Sequence, residues 1–276
     1  MEPNNNRIFN PNSGRSMDPS EIRKESFFDT LKYFVCPNFS KNSFTFQITI
    51  IDIIIYFITL LFGIKRSPTE LLAPTFNTLD TFGMKYPIKI YNGQLHRLIL
   101  FGLLHANFTH LISNMISQII LGTYLEQIIG KKIMIILYIL SNIGGGFFSC
   151  VLNNNPGVGA SVAILGILGA YLGYMFMNWN YMDTVMDFGS KILNLIFLGL
   201  IGLFSMSTGG SQGIDNYGHL GGFIYGFCLI FLLTDAKNES DGLWINNKIW
   251  KKGAVIGISV LSLLLVVDFW FINSPQ

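Results

Sequence analysis

Long runs of this chain are apolar on every face of a helix, without the polar stripe that a soluble helix keeps at the 3.6-residue period. Seven such runs, roughly 44–64, 107–126, 132–153, 160–178, 192–208, 217–234 and 253–272, predict seven membrane-spanning helices. Residues 1–43 are polar and rich in Asn, Ser and Pro, and predict a mobile tail. A short amphipathic piece near Glu25–Val35 is suited to lying on a membrane surface. The connection from Lys65 to Leu95 is long, and it leads into a mildly apolar segment, His96–Leu104. That length predicts a structured loop that packs on or into the bundle. The expected fold class is all-α, a polytopic membrane helical bundle. Its expected divisions are a tail (1–43), a membrane domain (44–235), and a loop with one extra C-terminal transmembrane helix (236–276).

Composition supports this reading. Half of the residues are apolar and 12% are charged, where a soluble domain carries about 25% charge. The net charge of +2 matters less than its distribution. Lys and Arg gather in the tail and at Lys131, Lys132, Lys191, Lys237, Lys248, Lys251 and Lys252, on the N-terminal side and in every second loop. The loops at 154–159 and 209–216 and the C-terminus have none. The long first loop, with Lys65, Arg66, Lys85, Lys89 and Arg97, departs from the pattern, as long loops do. The N-terminus is therefore expected on the cytoplasmic side and the C-terminus outside or in a lumen. The polar start carries no cleavable signal, so the first apolar span is expected to act as an uncleaved signal-anchor. Cys36, Cys150 and Cys228 have neither metal spacing nor an even count, and read as plain thiols. The bilayer is the evident partner; no nucleic acid and no cofactor are expected.

Under this topology spans two, four and six start on the outer side, and each starts with polar groups. His105 and His110 open span two, Ser161 opens span four and His219 opens span six. A serine at a helix start is most often a cap, but an ionisable ring inside hydrocarbon is costly and rarely incidental. His219 is flanked by Gly218, Gly222 and Gly226, and span four offers Gly166, Gly169, Ala170 and Gly173. Small residues at this spacing let two helix backbones approach closely, which brings Ser161 and His219 within reach of each other. His110 and Asn114 are four apart and share a helix face. Gly159 and Ala160 leave backbone amides open at a helix N-terminus, where an oxyanion is favoured.

These groups supply a nucleophile, a base and an anion-stabilising pocket, the set needed for acyl transfer. A neutral imidazole can take the serine proton near pH 7. Asp215, four residues upstream of His219, could orient the ring, but a Ser–His dyad is the simpler reading. A metal site built from His105, His110 and His219 fits poorly: two of these are five apart, off the spacing that shares a helix face.

The same residues resemble those of the rhomboid intramembrane serine proteases, over about residues 90–235. The paired histidines and asparagine of that family match His105, His110 and Asn114, and its Gly-x-Ser motif matches Gly159-Ala160-Ser161. Its histidine followed by GxxxG matches His219 with Gly222 and Gly226. Arg97 matches its first-loop arginine, although His96 stands where Trp is usual, and Glu126 matches the glutamate that closes its second core helix. The resemblance implies Ser161 as nucleophile, His219 as general base, and an oxyanion site from His110, Asn114 and the Ser161 amide. It implies that His105 ties the first loop to the core. It also implies single-pass transmembrane proteins as substrates, and a six-plus-one arrangement like that of the eukaryotic secretory-pathway type, in a secretory or plasma membrane. Two positions depart from the family: Val162 follows the serine where Gly is common, and Leu165 stands where an aromatic often packs under the histidine.

Other expectations are smaller. Asp52 and Asp268 are intramembrane acids read as helix-packing groups. Asn107-Phe-Thr109 is a glycosylation sequon placed close to the membrane. Span five, with Gly199 and Gly202 and no polar anchor, is expected to act as a lateral gate. Two rival readings are a non-catalytic relative that binds membrane clients, and a transporter; the second lacks the repeat halves of many carriers.

Overall fold

The computed structural model describes residues 8–10, 15–17, 40–66, 70–184, 187–206, 213–237 and 246–272. Two compact units divide after Phe39. In the first, the described residues are two short antiparallel strands, β1 (Ile8–Asn10) and β2 (Arg15–Met17), with Phe9 opposite Ser16. The amphipathic piece expected at Glu25–Val35 lies outside the described residues.

The second unit is a helical bundle. Each apolar run forms a helix: α1 (Phe44–Phe62), α5 (Phe108–Ile129), α6 (Lys131–Leu152), α7 (Ser161–Met177), α8 (Phe188–Met206), α9 (Asn216–Leu233) and α10 (Asn247–Val267). A π-helical turn, Asp268–Ile272, extends α10. The long first loop is indeed structured. It holds a two-residue pairing of β3 (Ile64–Lys65) with β4 (Ala73–Pro74), then the short helices α2 (Phe76–Phe82), α3 (Pro87–Tyr91) and α4 (Arg97–Leu100), and a 3₁₀ turn at Phe101–Leu103. Leu79, Met84 and Leu104 form a small core of its own, and Phe101 is buried against the bundle.

Among the described residues, α1, α6, α9 and the α10 segment are long and apolar enough to cross a membrane by themselves. Helix α5 qualifies together with Arg97–Leu103, from which it is bent by 96°. Helices α7 and α8 are shorter. At about 1.5 Å per residue the 17 residues of α7 span roughly 25 Å, less than the roughly 30 Å hydrocarbon layer. Helix α7 can be short because it is buried on most of its faces, so protein rather than lipid meets its ends.

The bundle centre is a close contact of α7, α9 and α6. A Cβ added at Gly226 would run into the Gly166 carbonyl, and one at Gly222 into the Val162 carbonyl. Backbone therefore meets backbone where the small residues were expected to pair. A third small stripe, Gly144-Gly145-Gly146 on α6, completes the centre: a Cβ at Gly145 would lie 2.5 Å from the Gly222 amide nitrogen.

Buried polar groups tie the outer helices to this centre. The Glu126 carboxylate accepts the amides of Phe44 (2.7 Å) and Thr45 (2.8 Å) and the Thr45 hydroxyl (2.7 Å), so it caps the positive end of α1. Gln118 donates to Asp52 and to the Thr49 hydroxyl (3.0 Å each) and accepts from the Tyr138 hydroxyl (2.7 Å). These bonds join α1, α5 and α6, which is the packing role expected of Asp52. Helix α10 lies on the rim, where Tyr225 and Ser262 share a hydrogen bond of 2.8 Å and Trp250 stacks on Phe231.

The expectation that span five has no polar anchor is corrected. The fully buried Lys191 donates to the Trp179 carbonyl and to Asp183 (2.8 Å each), with its ammonium 4.5 Å from the Trp179 ring centre. In sequence Lys191 counts only as a topology charge; its aliphatic stem lets it reach back to the preceding turn. Further along, the Ser117 hydroxyl donates to the Ile201 carbonyl (3.1 Å). The rest of α8 presents Leu193, Ile196, Leu200 and Leu203 outward, and a Cβ at Gly199 would meet none of the described residues within 4 Å.

Candidate active site

Helices α5, α7 and α9 begin at the same end of the bundle, and their first turns meet. His219 Nε2 lies 2.7 Å from Ser161 Oγ, across 58 residues of sequence. Both side chains are buried, at 4% and 5% exposed. His219 Nδ1 has no hydrogen-bond partner among the described residues. Nε2 is thus free to accept the serine proton if Nδ1 carries the ring proton.

A cavity of about 160 Å³ opens beside the pair, lined by Phe101, His110, Asn153, Asn155, Pro156, Gly157, Val158, Ser161, Val162, Gly213, Ile214, Asp215, Asn216, Tyr217 and His219. It is polar and has room for several waters. Gly159, with φ +133°, lies in a backbone region that suits glycine, and its amide donates to the Phe101 carbonyl (3.0 Å). A Cβ there would sit 2.7 Å from the His110 ring, so glycine is what leaves room for that ring beside the cavity. Among the described residues no side chain caps α7, whose first two residues, Ser161 and Val162, line the cavity.

Asn107 caps α5 by accepting the His110 amide (2.8 Å) and the Thr109 hydroxyl (2.7 Å), which puts the sequon asparagine to work as a buried cap. Asn114 does not line the cavity. It is fully buried one turn below His110 and donates to the His110 carbonyl (2.7 Å). His105 is buried edge-on to His110, with ring centres 5.4 Å apart. Arg97 fixes the first loop through the Met84 carbonyl (2.9 Å), Gln94 (2.7 Å) and Asp80 (3.1 Å). Among the described residues, no group of His, Cys, Asp or Glu is arranged to hold a metal ion.

The two atypical positions have clear surroundings. The Val162 methyl groups fill the space between Gly145, Gly218 and Gly222, so this valine wedges between the helices that hold the pair. Leu165 is buried toward Gly202 of α8.

Asp215 does not bond the His219 ring. Its carboxylate accepts from Lys85 (2.6 Å), the Ser149 hydroxyl (2.6 Å) and the Gly218 amide (3.0 Å). Lys85, Ser149 and Asn153 carry no motif and were not singled out in the sequence. Burial pushes the Asp215 carboxyl up, but the Lys85 charge and these hydrogen bonds outweigh it and hold the group below the usual value of 3.8. Asp215→Asn is therefore expected to lose on the order of 2 kcal/mol near neutral pH, the cost of stranding Lys85, reduced because the Asp215 side chain is 19% exposed. The native contribution is present above the unfolded-state value and fades as pH falls through the lower folded value. The gap between wild type and variant should thus close below about pH 3.8. Thermal unfolding in detergent as a function of pH measures it.

The fold and these groups define a polytopic integral membrane protein with a serine and a histidine paired in a polar cavity inside the bundle. A family model, "Rhomboid domain", matches residues 92–236. Rhomboid-like protease 1 of Toxoplasma gondii is 34% identical over 225 residues, covering 80% of this chain and 73% of the relative. Rhomboid-like protease 2 of the same organism is 27% identical over 238 residues, covering 84% and 80%. RHOMBOID-like protein 5 of Arabidopsis thaliana is 37% identical over 166 residues, covering 59% and 52%, so the chain spans about half the length of that relative. The chain belongs to the rhomboid family. Rhomboid proteases act on membrane proteins within the bilayer, and the family also includes inactive members.

Proposed function

We propose that this protein is an active intramembrane serine endopeptidase that uses Ser161 as nucleophile and His219 as general base. The observation that carries the reading is the 2.7 Å contact between Ser161 Oγ and His219 Nε2 inside a polar cavity. Ser161 Oγ attacks the scissile carbonyl carbon while its proton passes to His219 Nε2. The oxyanion develops against the Ser161 amide and the His110 ring. Asn114 joins it only if its amide turns from the His110 carbonyl, and otherwise braces that turn. The imidazolium then protonates the leaving amine, and a cavity water hydrolyses the acyl-serine ester. Since His219 Nδ1 has no partner among the described residues and Asp215 is committed to Lys85, the site works as a dyad.

The substrates are single-pass transmembrane proteins. A helical carbonyl is already hydrogen-bonded, so the substrate must unwind to present its scissile bond, which favours helix-weakening residues near the cut. The charge pattern supports a cytoplasmic N-terminus and a cavity that opens to the outer or lumenal side of a secretory-pathway or plasma membrane. Reconstitution with a fluorogenic transmembrane substrate tests the activity. Turnover is expected, and binding without turnover across a substrate panel would favour the client-binding reading.

Helix α8 is the lateral gate in this reading, hinged where Lys191 holds one end. Cross-linking it to α5 through Ser117→Cys and Ile201→Cys is expected to cut turnover at least about tenfold, with recovery on reduction. Undiminished turnover of the cross-linked protein would remove the gate.

A further inference from the structure

We propose that Lys85, in the first loop, is a positioning residue that holds the segment carrying Ser161 and the helix carrying His219 in one register through its pairing with Asp215. The proposal rests on the protease reading above. An ammonium group with no exposed surface is costly unless its partners are fixed, and Lys85 is 0% exposed. Its partners belong to both arms of the dyad.

The side chain serves the histidine arm. Lys85 Nζ donates to Asp215 Oδ2 (2.6 Å) and to Ser149 Oγ, and Ser149 in turn donates to Asp215 Oδ1 (2.6 Å). The Asp215 carboxylate thus has both oxygens held from α6 and the first loop. Asp215 then sets the start of α9: its side chain accepts the Gly218 amide (3.0 Å) and its carbonyl accepts the His219 amide (3.0 Å). Rotation of α9 at the level of the His219 ring follows the place of this carboxylate.

The backbone serves the serine arm. Lys85 and Gly157 exchange two hydrogen bonds, Lys85 amide to Gly157 carbonyl (2.9 Å) and Gly157 amide to Lys85 carbonyl (3.0 Å). Gly157 leads within four residues to Ser161. A Cβ at Gly157 would lie 3.1 Å from Lys85 Cε and 3.3 Å from Asp215 Oδ2, so the loop, the lysine and the aspartate are in mutual contact. The node is itself mounted firmly, since the adjacent Met84 carbonyl accepts from the buried Arg97. One residue therefore sets the relative position of two groups that are 58 residues apart in sequence. A catalytic contact needs placement to about 0.5 Å, which a shared tether supplies.

The test compares four full-length reconstituted proteins: wild type, Lys85→Arg, Lys85→Met and the double variant Lys85→Met/Asp215→Asn. Lys85→Met is expected to lower kcat at least about tenfold with KM within about twofold, and Lys85→Arg to recover part of kcat. The double variant removes the stranded carboxylate charge and retains an asparagine that can cap α9. Its thermal midpoint is expected near that of wild type while kcat stays low. A purely structural role predicts instead that kcat returns with stability, and a folded double variant with wild-type kcat overturns the proposal. A wild type that cleaves nothing overturns the protease reading and this inference with it. A wild type that cleaves while all three variants match it overturns this inference alone.

Discussion

Ser161→Ala is expected to abolish cleavage of a reconstituted transmembrane substrate, by about 10⁴-fold or more, while leaving the fold intact. The Ser161 hydroxyl bonds His219 and lies at the cavity edge, so removing it leaves no void in the apolar core. Alanine is also a better helix former than serine, so the thermal midpoint should hold or rise slightly. His219→Ala is expected to cost about as much, and the double variant no more than either single, because nucleophile and base act as one unit. Additive losses would mean that the two residues contribute independently, contrary to the dyad. Progress curves of the four proteins with one substrate at matched density in liposomes decide between these outcomes.

Gly226→Leu is expected to have the largest effect on stability. A Cβ at this position meets the carbonyl, the carbonyl carbon and the Cα of Gly166 together, and none of these can rotate away. Overpacking a well-filled interior costs about 1–3 kcal/mol where side chains can yield; against backbone the cost lies at or above the top of that range. The α7–α9 contact must open, and opening it separates Ser161 from His219, so activity falls with the thermal midpoint. Gly253→Ala and Gly257→Ala on α10 provide the opposite sign. A Cβ at either meets none of the described residues within 4 Å, so the ordinary helix preference for alanine applies and each should gain about 0.5–1 kcal/mol. Thermal unfolding of the three variants beside wild type measures both directions. A neutral Gly226→Leu would show that α7 and α9 are not packed through their backbones.

The helices were legible because a membrane span is written as a continuous apolar run; six runs became helices within about four residues of their expected ends, and the last helix begins six residues early, at Asn247. The approach of α7 to α9 was legible for the same reason: Gly222 and Gly226 have no purpose on a lipid-facing surface. The Gly144-Gly145-Gly146 stripe on α6 is a signal of the same kind, since Gly145 lies against the Gly222 backbone. The buried ion pair was not legible. Lys85 and Asp215 are separated by 130 residues, and each looks like an ordinary loop charge until the first loop folds over the bundle. Asp215 could be suspected of orienting His219 from its spacing alone; only its committed hydrogen bonds to Lys85, Ser149 and Gly218 show that it serves the helix start instead. The anchor at Lys191 was missed for a related reason, since a charge read for topology can also be buried against its own turn. Asn114 matched a motif, yet the direction in which its amide points is a tertiary property that spacing does not encode.

In the proposed mechanism Ser161 is a nucleophile activated by His219. Treatment of the reconstituted protein with a fluorophosphonate, followed by peptide mass mapping, tests it most directly, because the serine oxygen must attack phosphorus and expel fluoride without help from any substrate contact. A single adduct is expected on the peptide containing Ser161 in the wild type, and its loss in His219→Ala. An adduct on another residue, or equal labelling of Ser161 in His219→Ala, would contradict it.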